Sequence, residues 1–129
     1  NIYEYIAELE KNQGKQFMTK EQKETIEGCI EALNSHTACA KYLFQEWPGC
    51  EIFNEYEIYF KCRDIDCKAR LDRIIVNHNE KYVVLIDLKT TSKRAQFFPD
   101  SFEFWRYYRQ MAFYKYALSK EFPGCVTVI

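Results

Sequence analysis

The feature that most constrains the fold is a nearly continuous apolar run between Tyr82 and Thr90. A half-exposed strand alternates apolar and polar side chains, whereas this run is apolar at almost every position. Such a run is typical of a central strand whose two faces are both covered. Asp87 and Lys89 are the charged residues that interrupt it. We therefore predict a strand from Tyr82 to Thr90 at the centre of a layered sheet.

Three other segments are predicted to join this sheet. Residues 52–61 alternate apolar and polar side chains, residues 67–77 are apolar at their centre, and residues 126–129 begin a last strand. The polar stretch at residues 77–80 predicts a turn between the second and third strands. The four segments are therefore predicted to form one mixed sheet.

Helices are predicted before and after the strands. Thr19 and Gln22 have the spacing of a capping box, which opens a helix through about Leu33. A second helix is expected over about 36–46. A third is expected over about 102–120, where apolar side chains recur at helical spacing. Its apolar stripe comprises Phe104, Tyr107, Met111, Tyr114 and Leu118.

Residues 91–100, which include Pro99, are predicted to form a loop before the last helix. The element order is then α-α-β-β-β-α-β. This order predicts an α/β fold with a central mixed sheet flanked by helices.

Composition narrows the class of protein. The chain has 129 residues, which fits one domain. It is 47% hydrophobic, too apolar for a disordered segment, yet its apolar runs are too short to cross a membrane. Its six cysteines include no C-x-x-C pair and no signal peptide precedes them, so we expect reduced thiols in a cytoplasmic protein.

Charge alone does not indicate a nucleic-acid-binding protein, because the net charge is -1. Basic residues nevertheless cluster around the first two strands, where they could contact phosphates or simply lie on solvated strand edges. They are Lys61, Arg63, Lys68, Arg70 and Arg73.

The candidate chemistry lies in Asp72, Asp87 and Lys89. Asp87 and Lys89 are two residues apart in a strand, so they project to the same face, and Asp72 can meet them from the neighbouring strand. Carboxylates and an ammonium are costly to bury unpaired in an apolar sheet. A divalent cation with a preference for oxygen ligands, Mg²⁺ or Mn²⁺, would offset the repulsion. An ordinary Asp–Lys ion pair on a sheet face remains the alternative.

Three segments resemble the PD-(D/E)xK nuclease superfamily. They are residues 68–74 (KARLDRI), residues 85–91 (LIDLKTT) and residues 110–114 (QMAFY). The third matches the Q-x-x-x-Y helix motif of the RecB-type branch. Within that branch the chain is most similar to phage and prophage exonucleases of the exonuclease VIII (RecE) type. Leu71 stands where the family has its nominal proline.

The resemblance implies a restriction-endonuclease-like core and a catalytic centre of Asp72, Asp87 and Lys89. It implies that Asp72, Asp87 and the carbonyl of Leu88 bind metal, with His36 or Glu55 completing the shell. For these last two residues a plain structural role is the alternative. Glu55 could face solvent on an edge strand, and His36 could cap a helix.

The same resemblance implies that Gln110 and Tyr114 face the active site and hold DNA. On the sequence alone, Tyr114 could equally pack in the core and Gln110 could face solvent. Thr90 and Thr91 could support the site or contact phosphate, although their β-propensity explains them equally well.

The function implied is that of a Mg²⁺- or Mn²⁺-dependent DNA exonuclease, acting 5′→3′ on double-stranded ends in phage-type recombination. The implied partners are DNA, a single-strand annealing protein and further copies of the chain in a ring. No iron–sulfur cluster is expected, because Cys125 is the one cysteine after the last motif.

We expect a single nuclease domain over 1–129, forming a fragment of a longer chain encoded by a bacterium or phage. An endonuclease or single-strand nuclease of the same fold, and a non-catalytic DNA-binding domain, remain alternatives.

Overall fold

Four strands and five α-helices make up the described part of the chain, which is residues 2–12, 18–91 and 94–129 of a computed structural model. The helices are α1 (Ile2–Lys11), α2 (Lys20–Ser35), α3 (Thr37–Leu43), α4 (Phe98–Phe104) and α5 (Tyr107–Glu121). The strands are β1 (Glu51–Cys62), β2 (Ile65–Asn77), β3 (Tyr82–Ile86) and β4 (Val126–Val128). A 3₁₀ turn, Ala95–Phe97, precedes α4.

The chain divides into two compact units, the first ending at Gln45 and the second beginning at Glu46. The first unit contains α1, which the sequence did not predict, and the predicted helices α2 and α3. The capping box that opens α2 is confirmed. The Thr19 hydroxyl accepts from the Gln22 amide at 3.1 Å, and the Gln22 side chain accepts from the Thr19 amide at 2.8 Å. None of the residues of these three helices, all of which the structure describes, is buried.

The second unit is built on one mixed sheet with the strand order β1-β2-β3-β4. β1, β2 and β3 form an antiparallel meander, and β4 pairs with β3 in parallel. The predicted mixed α/β architecture is therefore confirmed. As predicted, β3 has a neighbour on both sides, and its residues Val83, Val84 and Leu85 are buried.

The core lies between the sheet and α5. Ala117 and Leu118 of α5 are buried in one cluster with side chains of β1, β2 and β3, and Met111 and Tyr114 pack against it. The strand residues of the cluster are Ile58, Phe60, Ala69, Leu71, Ile74, Val76, Val83 and Leu85. Burial of this helix face fixes α5, and with it the residues at its beginning, relative to the sheet.

The β1–β2 hairpin departs from regular alternation at one position in each strand. In β2 the core residues Leu71 and Ile74 are three positions apart instead of two. In β1 the corresponding step runs from Phe53 to Tyr56, and within it Glu55 has a φ of 52°, in the left-handed region. Two residues thus separate successive core side chains in both strands at the same level, which is the level of Asp72.

The predicted single helix over 102–120 is wrong in its first part. The structure has two helices there, because Arg106 has a φ of 55°, a left-handed conformation that no α-helix interior accepts. The predicted loop over 91–100 is also too long. α4 begins at Phe98, with Pro99 in its first turn, where the missing amide hydrogen does not matter. Phe104 consequently leaves the α5 stripe and is exposed.

Two general expectations can be compared with the described residues. All six cysteines lie among them and are free thiols. Across residues 2–12, 18–91 and 94–129, no helix combines the length and apolar character that a membrane span requires.

Candidate active site

The candidate site lies where the β2–β3 ladder ends. The sequence predicted β3 to continue to Thr90, but the paired region stops at Ile86, opposite Arg73. One step further, the same register sets Asp87 opposite Asp72. Directly opposed residues of an antiparallel pair have neighbouring side chains. The pairing of the buried parts of the two strands therefore leads Asp72 and Asp87 to the same end of the β2–β3 ladder.

Asp72 is joined to the second motif through the backbone. Its Oδ2 accepts a hydrogen bond from the amide of Leu88 at 2.8 Å. A hydrogen bond to an ionised acceptor is about twice as strong as a neutral one. This bond holds the segment that follows β3, where ladder bonds no longer do so. It places Asp72 against the Asp87-Leu88-Lys89 triplet that the sequence singled out.

Lys89 is held by an acidic and an aromatic partner. Its Nζ lies 2.5 Å from Oδ2 of Asp87, and the two side chains are only 22% and 8% exposed. The same ammonium lies 5.1 Å from the centroid of the Tyr107 ring, a cation–π geometry. Tyr107 is the first residue of α5, so the packing of that helix helps to fix the lysine. The sequence indicated Tyr107 only as part of an apolar stripe, and it gave no sign of this contact.

Glu55 and Asp72 are the two residues that the β1–β2 register leaves out between Asn54–Arg73 and Tyr56–Leu71, and Glu55 has a cationic partner of its own. Its Oε2 accepts from Nε of Arg70 at 2.8 Å, and both side chains are largely exposed. The sequence suggested Glu55 as a metal ligand. In the structure its carboxylate is already paired with the Arg70 guanidinium.

The basic cluster of the first two strands is largely paired with acids. Lys68 lies 2.7 Å from Glu57, and Lys61 lies 2.7 Å from Asp66. The hydrogen bond from Lys68, then that from Tyr59, lowers the pKa of the Glu57 carboxyl. The bond to Glu57 likewise raises the pKa of Lys68. Together with Arg70–Glu55, these pairs neutralise much of the charge that the sequence suggested for phosphate contacts.

His36 belongs to the first unit, where it caps α3. Its Nδ1 accepts from the amide of Cys39 at 3.4 Å. The sequence left helix capping as the alternative role of His36. A capping hydrogen bond is the contact that the structure shows for this side chain.

Gln110 and Tyr114 are joined to each other one turn apart on α5. Nε2 of Gln110 donates to the Tyr114 hydroxyl at 2.9 Å, and Tyr114 packs against the core cluster. Both side chains are half-buried. The pair that the Q-x-x-x-Y motif indicated is therefore a connected unit on the helix that also carries Tyr107.

Thr90 and Thr91 lie on the wall of a cleft of about 420 Å³. The other lining residues come from α4, from the start of α5 and from between them: Asp100, Ser101, Phe104, Trp105 and Tyr107. Sequence reasoning missed this cleft. The break between α4 and α5 creates it, and a continuous helical pattern concealed that break.

The oxygen atoms of the site fit a hard divalent cation. Within residues 2–12, 18–91 and 94–129, no three His, Cys, Asp or Glu side chains are grouped closely enough to form a metal cage. Mg²⁺, however, commonly keeps several of its waters and is bound by one or two carboxylates. Asp72, which contacts the Leu88 amide, and Asp87, the residue before it, supply that number of carboxylates at one end of the sheet.

Comparison with known proteins identifies a superfamily for this chain. The sequence profile of the PD-(D/E)XK nuclease superfamily matches residues 2–125. Neither the curated proteins nor the solved structures gave a match. The matched region takes in both compact units and every residue of the site described above.

Proposed function

The chain belongs to the PD-(D/E)XK nuclease superfamily, and from that membership we propose that it is a Mg²⁺-dependent deoxyribonuclease with Asp72, Asp87 and Lys89 at its catalytic centre. Members of this superfamily are nucleases, so hydrolysis of phosphodiester bonds is the reaction class. Mn²⁺ is the alternative cation, since it accepts similar oxygen ligands.

The observation that carries the proposal is the hydrogen bond from the Leu88 amide to Asp72. It joins two motifs that are fifteen residues apart in sequence at one place, just beyond the paired part of the sheet. An Asp–Lys pair on a sheet face would need no carboxylate from the neighbouring strand. The convergence of Asp72 with Asp87 and Lys89 therefore favours a site over a structural ion pair.

Asp72, Asp87 and the carbonyl of Leu88 are the groups that would hold the cation. A bound Mg²⁺ supplies activation of the attacking water and stabilisation of charge on the phosphorane-like transition state. His36 and Glu55 remain candidates for completing the shell. The capping contact of His36 and the ion pair of Glu55 would have to be exchanged for such a role.

Lys89 would orient or deprotonate the attacking water and stabilise developing negative charge. Its contacts with Asp87 and Tyr107 restrict the position of the ammonium before substrate binds. Preorganised positive charge in a partly water-excluded site is more effective than the same charge in water. Gln110 and Tyr114 would support the site or hold DNA, as would Thr90 and Thr91.

At a finer level, we propose a RecB-type, RecE-like exonuclease that acts 5′→3′ on double-stranded DNA ends in phage-type recombination. The order of the motifs over residues 68–114 supports this assignment. A single-strand annealing protein would then take up the 3′ overhang. Ring assembly around DNA would explain how a chain with little net positive charge stays on its substrate.

The test is degradation of linear double-stranded DNA by the full-length protein in Mg²⁺ or in EDTA, beside the Asp87→Ala variant. We expect Mg²⁺-dependent loss of DNA that Asp87→Ala abolishes. Labels on the 5′ and 3′ ends then give the polarity. Circular, nicked and single-stranded DNA separate the exonuclease from an endonuclease or single-strand nuclease of the same fold.

Absence of cleavage of every DNA form by the wild-type protein, in Mg²⁺ and in Mn²⁺, would contradict the proposal. RNA substrates would then be tested first. A non-catalytic DNA-binding role would be considered if they too remained intact.

A further inference from the structure

The cleft beside α4 continues directly from the candidate active site. Thr90 and Thr91 follow Lys89 in the chain and form one wall. Tyr107 lines the same cleft while its ring lies under the Lys89 ammonium. A molecule in the cleft would therefore lie next to the group proposed to stabilise the scissile phosphate.

An exposed aromatic pair forms the outer side of the cleft. Phe104 and Trp105 are 74% and 64% exposed. Their ring centroids are 4.8 Å apart, with the ring planes at 90°. Large aromatic side chains stabilise a protein most when they are buried. Two that are exposed side by side therefore indicate a surface for contact with another molecule. The wall also carries Asp100 and Ser101, so polar groups lie close to the aromatic pair.

The aromatic pair stands on a fixed support. The amide of Trp105 donates to the carbonyl of Ser101 at 2.9 Å, which closes the last turn of α4. On α4, Phe98 stacks on Tyr107 with centroids 6.2 Å apart and ring planes at 22°. The amide of Arg109 donates to the carbonyl of Arg106 at 2.9 Å, which holds the left-handed corner between the helices. The position of Trp105 relative to Tyr107 is thereby set before any ligand binds.

These features point to one class of occupant. A cleft of about 420 Å³ is within the range of about 300–1,000 Å³ typical of small-molecule pockets. An aromatic surface offers stacking that any base accepts. Asp100 on the wall disfavours a phosphate, but its carboxylate can accept a hydrogen bond from an N–H group on the edge of a base, either an exocyclic amino group or the N3–H of thymine. Only an unpaired base has both a free face and a free edge.

We propose that this cleft binds an unpaired nucleobase of the DNA strand being cut, stacked on the face of Trp105 with the perpendicular Phe104 ring at its edge, next to the phosphate at Lys89. The inference rests on the proposed nuclease function and adds to it. The terminal base pair of a duplex would open before cleavage, and the released base would be held in the cleft.

The test is binding without cleavage, measured by fluorescence anisotropy in EDTA on the full-length protein. The probes are two labelled duplexes with short single-stranded tails, one tail of thymidines and one of abasic sites. Stacking of one base corresponds to roughly a tenfold change in affinity. We expect the wild-type protein to bind the thymidine tail about tenfold more tightly than the abasic tail.

Substitutions of Trp105 and Phe104 test whether the preference for the thymidine tail arises in the cleft. Trp105→Ala should bind both tails equally, Trp105→Phe should keep most of the preference, and Phe104→Ala should reduce it in part. Tyr59→Ala is the matched control. It removes another exposed aromatic residue, on the β1–β2 hairpin and outside the cleft, and should keep the full preference. Circular dichroism spectra confirm that each variant is folded.

Equal binding of both tails by the wild-type protein would overturn the inference, and so would a preference that survives in Trp105→Ala. Cleavage of DNA in Mg²⁺, measured on the same preparations, keeps the two proposals separate. An active nuclease without base preference refutes the cleft and leaves the nuclease standing. An inactive protein that still binds thymidine tails through Trp105 refutes the nuclease and supports base binding.

Discussion

At the scale of single residues, Asp72 has two separable properties. Its Oδ2 accepts from the Leu88 amide, and it thereby brings a negative charge to the segment that carries the Asp87–Lys89 ion pair. The hydrogen bond requires only an oxygen acceptor, whereas cation binding requires the negative charge. Two substitutions at Asp72 therefore separate the effect of the hydrogen bond on stability from the effect of the negative charge on DNA cleavage.

We expect Asp72→Asn to keep about half of the stabilisation from this bond, because its neutral amide oxygen can still accept from Leu88. Asp72→Ala should lose about 2 kcal/mol of unfolding free energy, because the missing bond was made to a charged acceptor. Both should reduce DNA cleavage by about 100-fold or more, because a cation contributes several kcal/mol to such a reaction. Urea denaturation and initial cleavage rates measure the two effects. Wild-type activity in Asp72→Asn would exclude a role for the charge.

Sequence predicted the residues of this site better than their partners. Asp87 and Lys89 were expected to project together, and their ion pair agrees with that expectation. The Tyr107 ring under Lys89 and the Arg70 guanidinium on Glu55 were not foreseen. Both contacts depend on which side chains the packing of α5 and the hairpin register bring together. No local pattern in one sequence records that information.

At the scale of elements, the strands were predicted better than the helices that follow them. Alternating and continuous apolar runs gave β1, β2 and β3 to within a few residues, because each run is buried against α5 or within the sheet. The end of β3 and the start of α5 were wrong. Both errors lie where the chain leaves regular structure, and the left-handed φ of Arg106 has no signature in an arginine side chain.

The hairpin pair Lys68–Glu57 gives a prediction at this scale. Its hydrogen bond lowers the folded-state pKa of Glu57. The contribution of the pair to stability is therefore present above the ordinary pKa of a glutamate and is lost as the pH falls through the lowered value. In Lys68→Met, we expect the Glu57 pKa to rise towards its ordinary value, as followed by NMR of its side-chain carboxyl carbon.

Lys81→Met provides the control for that titration, because it removes the same charge from the turn between β2 and β3, beyond the end of the β1–β2 hairpin that lies away from Glu57. The Glu57 pKa should be unchanged in this variant. An equal rise in both variants would attribute the effect to net charge instead of to the Lys68 hydrogen bond.

At the scale of the whole molecule, the two units differ in how much they bury. The buried core belongs to the second unit, whereas the residues of α1, α2 and α3, all within the described ranges, include none that is buried. The superfamily profile nevertheless extends over both units. The region that matches the profile therefore includes both the buried sheet and three helices that have no buried residue.

We expect amide hydrogen exchange to separate the two units. Amides with few buried apolar neighbours open locally at low free-energy cost, whereas amides of a core open only with global unfolding. The amides of α2 should therefore exchange orders of magnitude faster than those of β2 and β3, as measured by mass spectrometry of peptic peptides. Protection of α2 equal to that of β2 would show that the first unit is as stable as the sheet.

The three-residue step in both strands of the β1–β2 hairpin has a consequence for how this chemistry relates to its scaffold. A hairpin lacking both Glu55 and Asp72 would carry its apolar side chains in unbroken alternation, with Tyr56 and Leu71 still paired. The apolar pattern of the two strands therefore does not require those two positions. A matched pair of deletions could leave a sound sheet without its carboxylate, and a matched pair of insertions could supply one. If the proposed function holds, an active and an inactive protein of this fold would differ by one concerted deletion in the two strands.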